Sequence, residues 1–173
     1  MEKAKRSGGM IVVSDTTPLI SLMKIGRLNL IEQLFGEVQI PDAVYVELVS
    51  NPVFKEEAQR IRGSSFIKRV VVEDGRAVDL LRRATGLDMG ESEAIILSDS
   101  GRADLLLMDE MKGRQVAKQM GLHLMGTIGM LRAAYEEKLL SYEDIEECIE
   151  ILKTNGRHIS DRLFGQLLES IRE

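Results

Sequence analysis

Two short apolar runs in this 173-residue chain, MIVVSD at residues 10–15 and ADLLLMD at 103–109, each finish on an aspartate. A run with no polar alternation fits a strand covered on both faces, the situation of a parallel sheet between two layers of helices. A carboxylate at the buried end of such a strand is costly unless something compensates its charge. These two runs therefore constrain the fold and raise the question of function together.

The remaining segments agree with that frame. Helical patterns are expected at about 17–25, 28–35, 42–50, 53–62, 75–84, 91–100 and 110–120, with short strands at 38–40, 66–72 (an edge strand) and 122–125. Three further helices, at about 127–138, 142–154 and 159–171, have no strand between them and read as an appended helical part. The fold class is α/β, a three-layer α/β/α arrangement with a central parallel sheet. Residues 1–9 read as a flexible tail, 10–138 as the main domain and 139–173 as a C-terminal helical extension. The segments at 86–90 and 125–131 carry glycines and read as tight turns, without phosphate-loop spacing.

Composition narrows the class. Hydrophobic residues make up 44% and charged residues 29%, ordinary for a globular chain, and no apolar run reaches the length that spans a bilayer. One cysteine, Cys148, excludes an internal disulfide; with it the reading is a reducing compartment, the cytoplasm, and no membrane. His123 and His158 are far apart in sequence and form no ligand pattern. The net charge of −5 is unevenly spread: residues 136–150 hold seven acids and one lysine, whereas residues 54–83 carry eight Lys or Arg against five acids. The acidity is mostly one helical region, and it does not veto a nucleic-acid partner.

The acids form a pattern. Ligands of open parallel sheets gather at the carboxyl ends of the strands, where Asp15 and Asp109 are expected as terminal strand residues. Glu47 sits among apolar residues in PDAVYVELV, and Glu91 and Glu93 stand at a helix start in MGESEAIIL. Carboxylates brought together repel unless a cation joins them, and an all-oxygen set without His or Cys selects Mg2+ or Mn2+. Each acid also has a plainer reading: Asp15 and Asp109 as helix caps, Glu91 as favourable first-turn charge, Glu47 as a solvated side chain. Lys112 and Arg114 open the helix after Asp109, within reach of a phosphate backbone or simply in solvent.

On the stretches SDTTPLISLMKIGRLNLIEQLF, VQIPDAVYVELV, GESEAIILS, ADLLLMDEMKGRQVAKQMGL and GTIGMLRAAYEEKLL, with the tail NGRHISDRLFGQLL, the chain resembles the PIN-domain family. The likeness is strongest to the small prokaryotic branch related to VapC-type toxin ribonucleases. It implies a Mg2+- or Mn2+-dependent nuclease acting on RNA, with DNA also open, a homodimer, and a small antitoxin protein as partner. Carried over by position, the family's acids fall on Asp15, Glu47, Glu91 and Asp109 as catalytic metal ligands, with Glu93 as an alternative or additional ligand. Glu91 stands eighteen residues before Asp109, the separation the family keeps. The resemblance gives Thr16 the place of a hydroxyl that orients the first acid or a metal-bound water, and leaves Glu110, adjacent to Asp109, an outer role. Two other readings compete: a catalytically inactive PIN domain that binds RNA or protein, and a phosphohydrolase of the haloacid dehalogenase type. The second wants an aspartate two residues after Asp15, where Thr17 stands.

Overall fold

The computed structural model describes residues 9–155 and 159–172; the expected tail up to Gly8 and His158 lie outside the described residues. The elements run β1 (Val12–Ser14), α1 (Thr16–Lys24), α2 (Leu30–Phe35), β2 (Val38–Pro41), α3 (Asp42–Ser50), a 3-10 turn (Pro52–Phe54), α4 (Lys55–Gly63), β3 (Ile67–Val70), α5 (Gly75–Thr85) and α6 (Met89–Ser100). Then follow β4 (Leu105–Leu107), α7 (Met111–Gln119), β5 (Leu124–Met125), α8 (Thr127–Glu136), α9 (Tyr142–Thr154) and α10 (Asp161–Ile171).

The five strands form one all-parallel sheet in the order β3-β2-β1-β4-β5. Ser14 lies opposite Leu107 in the central pair, and β3, expected as an edge strand, is one of the two edges. Successive side chains of a strand face opposite sides, and the core divides accordingly. Val12 and Leu107 join the cluster built with α1, α2, α3 and the C-terminal helices, whereas Val13, Leu106 and Met108 join the cluster under α6 and α7. Both faces are covered, and three layers result.

The three C-terminal helices share this core. Met130 and Leu131 from α8, Ile145, Cys148 and Leu152 from α9, and Phe164 and Leu167 from α10 are all buried in the cluster that contains Val12 and Leu107. The acids of α9 face solvent; Ser141 caps the helix and Asp144 completes a capping box, 3.5 Å from Arg27 beyond the end of α1. That end of α1 is the amino edge of the sheet, opposite the edge where β1 and β4 finish.

Two expectations about boundaries are corrected. β1 and β4 end at Ser14 and Leu107, not at their aspartates. The ladder continues for one more bond on each side (Asp15 N–H to the Leu107 carbonyl, 2.9 Å; Met108 N–H to the Met125 carbonyl, 3.0 Å) before the chain turns into helix. Likewise α6 starts at Met89, two residues before the expected Glu91, because Asp88 takes the N-cap and Gly90 is helical. Only Gly86 has the left-handed backbone of a helix end there, with φ +74°.

Candidate active site at the sheet's switch point

Sheet order reverses between β1 and β4: the chain moves outward to β2 and β3 on one side and to β4 and β5 on the other. At such a point the loops on either side diverge and leave a crevice outside the carboxyl ends of the strands. Asp15 follows β1 into this crevice. It occupies the N-cap position of α1 (φ −76°, ψ 174°), yet its side chain makes no capping hydrogen bond. The cap reading therefore does not account for it. Asp15 is only 4% exposed, and its carboxyl is pushed up from 3.8 to about 7. Burial is the largest cause; the Thr16 backbone N–H opposes it, and the charges of Glu91, Asp88 and Glu47 raise it further.

Those three neighbours come from two helices. Glu47 is one turn into α3, where the Thr16 hydroxyl donates to its Oε2 at 2.8 Å. Thr16 was expected to orient the first acid or a metal-bound water; here its hydroxyl holds the second acid. Gly90 on α6 lets the helices approach: a Cβ there would lie 3.2 Å from Glu47 Oε2 and 3.7 Å from Asp88 Oδ1. Asp88 and Glu91 form a reciprocal capping box, Glu91 N–H to Asp88 Oδ1 at 2.8 Å and Asp88 N–H to Glu91 Oε2 at 3.1 Å. The Glu91 carboxyl is also raised, chiefly by partial burial, against the Asp88 backbone bond, and further by the charges of Asp88, Glu110 and Glu47.

Glu93, two residues on, turns elsewhere. Residues at i and i+2 diverge around a helix, and its Oε2 accepts the Ala43 N–H at 2.9 Å, tying α6 to the start of α3. Asp109 also has its own anchor. Both of its oxygens accept from Thr127, Oδ1 from the backbone N–H and Oδ2 from the hydroxyl, each at 2.7 Å. Gly126 makes this possible, because a Cβ there would come within 2.7 Å of Asp109 Oδ1. Arg114 reaches back to the same turn, its Nη1 donating to the Met108 carbonyl at 2.7 Å. It braces the backbone that carries Asp109. Lys112 is exposed at the rim, with Nζ 3.1 Å from where a Gly86 Cβ would sit, above the α5–α6 turn.

Asp88, Thr127, Gly90 and Gly126 were missed from sequence. The Asp88-x-x-Glu91 spacing of a capping box was a legible signal for Asp88. Thr127 had none, because its bond to Asp109 spans eighteen residues.

The donor set suits a hard divalent cation: carboxylates only, one of them buried, with its pKa raised chiefly by that burial and further by the neighbouring acids. Among the described residues no three His, Cys, Asp or Glu side chains are already arranged to hold one ion. The hydrogen bonds explain this. Glu47 is held by Thr16, Asp88 and Glu91 by each other, and Asp109 by Thr127.

A family model described as a PIN domain (DUF3368) matches residues 11–173, nearly the whole chain. No curated protein matches it.

Proposed function

The chain belongs to the PIN-domain family, a nuclease fold that generally works with divalent metal ions, and from that premise we propose that it is a Mg2+- or Mn2+-dependent endoribonuclease. The observation that carries this reading is Asp15: a buried, uncapped carboxylate at the switch point, with the carboxylates of Glu47, Asp88 and Glu91 around it. Asp15, Glu47, Glu91 and Asp109 are the proposed ligands and Asp88 an additional one, while Glu93 is left to its bond with Ala43.

When bound, the ion supplies Lewis-acid polarisation of the phosphodiester and lowers the pKa of the attacking water. The chain's own residues prepare that chemistry. Burial and the neighbouring acids disfavour a free charge on Asp15, so a cation that offsets that charge is favoured there. Thr16 fixes one oxygen of Glu47, and Thr127 aims Asp109 through two bonds. Lys112 stands at the rim, where its exposed ammonium can meet a substrate phosphate. Among the described residues no helix is long and apolar enough to cross a membrane.

Calorimetric titration with MnCl2 and MgCl2, paired with cleavage of labelled single-stranded RNA, tests the reading. Saturable binding that Asp15→Asn abolishes, with cleavage lost in parallel, is the expected result. A second reading, a non-catalytic RNA- or protein-binding module, draws on the hydrogen bonds that already engage Glu47, Asp88, Glu91 and Asp109. Metal binding without cleavage of any RNA or DNA would favour it. The resemblance to VapC-type toxins adds a homodimer and a small antitoxin to the proposal. Sedimentation of the purified chain, and growth arrest on expression that a neighbouring small open reading frame relieves, examine those two points.

A further inference from the structure

On the far side of α6 from the acid cluster, still at the carboxyl edge of the sheet, a cavity of about 410 Å³ opens between the β3–α5 loop, the first turns of α5 and the start of α6. Cavities of similar size occur elsewhere, for instance around Gly26, Arg60 and Phe66 at the amino edge. Volume therefore decides little; position and lining decide. This cavity shares α6 with the proposed metal site, and a helix with its side chains is about 10–12 Å across. A nucleotide flanking the scissile phosphate spans that separation.

The lining is that of a site for a flat, polar-edged ring. Val72, the buried Val78 and the half-exposed Met89 supply apolar faces, and a thioether makes favourable contacts with aromatic rings. Three charged groups stand around them. Glu93 is pinned through Oε2 to the Ala43 N–H, and its other oxygen has no hydrogen-bond partner among the described residues. Asp79 pairs with Arg83 at 3.3 Å, both side chains exposed. Arg76, in the first turn of α5, lines the cavity with an exposed side chain.

We propose that this cavity is a nucleobase subsite selective for guanine, in the nucleotide next to the one cleaved. Carboxylates accept from N–H groups, and a guanidinium donates to ring nitrogens and carbonyls. Guanine alone among the four bases offers two adjacent donors (N1–H and the 2-amino group) on one edge and two adjacent acceptors (O6 and N7) on another. Uracil, cytosine and adenine each leave a carboxylate facing an acceptor or with a single donor. The ring must leave its helix stack to enter, so the substrate would be single-stranded. The inference deepens the nuclease reading and rests on it for the direction of the chain, but not for base binding itself.

Calorimetry of the full-length chain with the four ribonucleoside 5′-monophosphates tests the subsite without any cleavage. Guanosine monophosphate is expected to bind roughly tenfold more tightly than the other three, and Asp79→Asn and Arg76→Ala are each expected to erase that margin. Separately, cleavage of a random-sequence RNA should favour sites flanked by guanine in the wild type and lose the bias in both variants. Equal affinity for the four nucleotides, no binding of any, or a guanine margin that survives both substitutions would overturn the subsite. Guanine-selective binding by a chain that cleaves nothing would support the subsite and sink the nuclease reading.

Discussion

Asp15 and Asp144 are the same residue type, each at the start of a helix and each among other acids, yet their environments drive them in opposite directions. Asp15 is buried at the switch point and its carboxyl is pushed up to about 7. Asp144, in the most acid-dense stretch of the chain, is held below the ordinary carboxylate range, first by the Ser141 backbone N–H and then by the Ser141 hydroxyl. Seven acids within residues 136–150 create no strained site because water and capping bonds serve them. Four carboxylates around a desolvated crevice do. Burial, not local charge density, turns acids into a site.

The largest expected effect separates the two regions by activity. Asp15→Asn should lower RNA cleavage by about three orders of magnitude or more, since it removes the buried charge on which the ion depends, whereas Asp144→Asn should leave cleavage unchanged. Equal activity of wild type and Asp15→Asn in a quenched-flow assay would break the comparison.

Next in size is the packing of the acidic helix on the core. Phe164 is buried against α9, with Lys153 Nζ 5.7 Å from its ring centre. Phe164→Ala should cost about 3–5 kcal/mol in urea unfolding. A cost below 1 kcal/mol would mean that the C-terminal helices are only loosely attached.

The pH dependence sharpens the contrast. A carboxyl whose folded-state pKa lies above its unfolded value contributes stability that is fully present below about 4 and lost as pH rises through about 7. Metal-free protein should therefore lose stability, on the order of a few kcal/mol, between about pH 4 and pH 7. Glu91 pulls the same way, and Asp144 makes the opposite, smaller contribution, lost as pH falls. Saturating Mn2+ or Asp15→Asn should flatten the profile. Urea midpoints that rise with pH in the metal-free wild type would contradict the burial of an ionised Asp15.

The smallest effect concerns aim. Thr127→Val keeps the backbone bond to Asp109 and deletes the hydroxyl one, so Mn2+ affinity should fall about tenfold while the melting temperature moves little. Gly126→Ala, which drives a methyl toward Asp109 Oδ1, should weaken the ion further. Unchanged affinity in both would show that Asp109 needs no fixed orientation.

Much of this was legible in the residues. Continuous apolar runs such as LLL at 105–107 announce a doubly covered sheet, and Pro41-Asp42 and Gly101 mark helix ends. That Asp15 and Asp109 stand at one edge follows from parallel pairing alone. Local hydrogen-bond chemistry was partly readable too: the Asp88 capping box was present in the spacing, although its arrival beside Asp15 was not.

By itself the sequence determined which elements form and at which sheet edge the strand-end acids stand, because periodicity and strand-to-helix turns are properties of neighbours along the chain. Only the tertiary structure decided which acids meet. It brought Glu47 beside Gly90 across α3 and α6, gave Thr16 to Glu47 and Thr127 to Asp109, and sent Glu93 to Ala43 while Glu91 stayed with the cluster. Those pairings depend on helix approach and side-chain direction between segments distant in sequence. Desolvation, which moves Asp15, depends on everything packed around it.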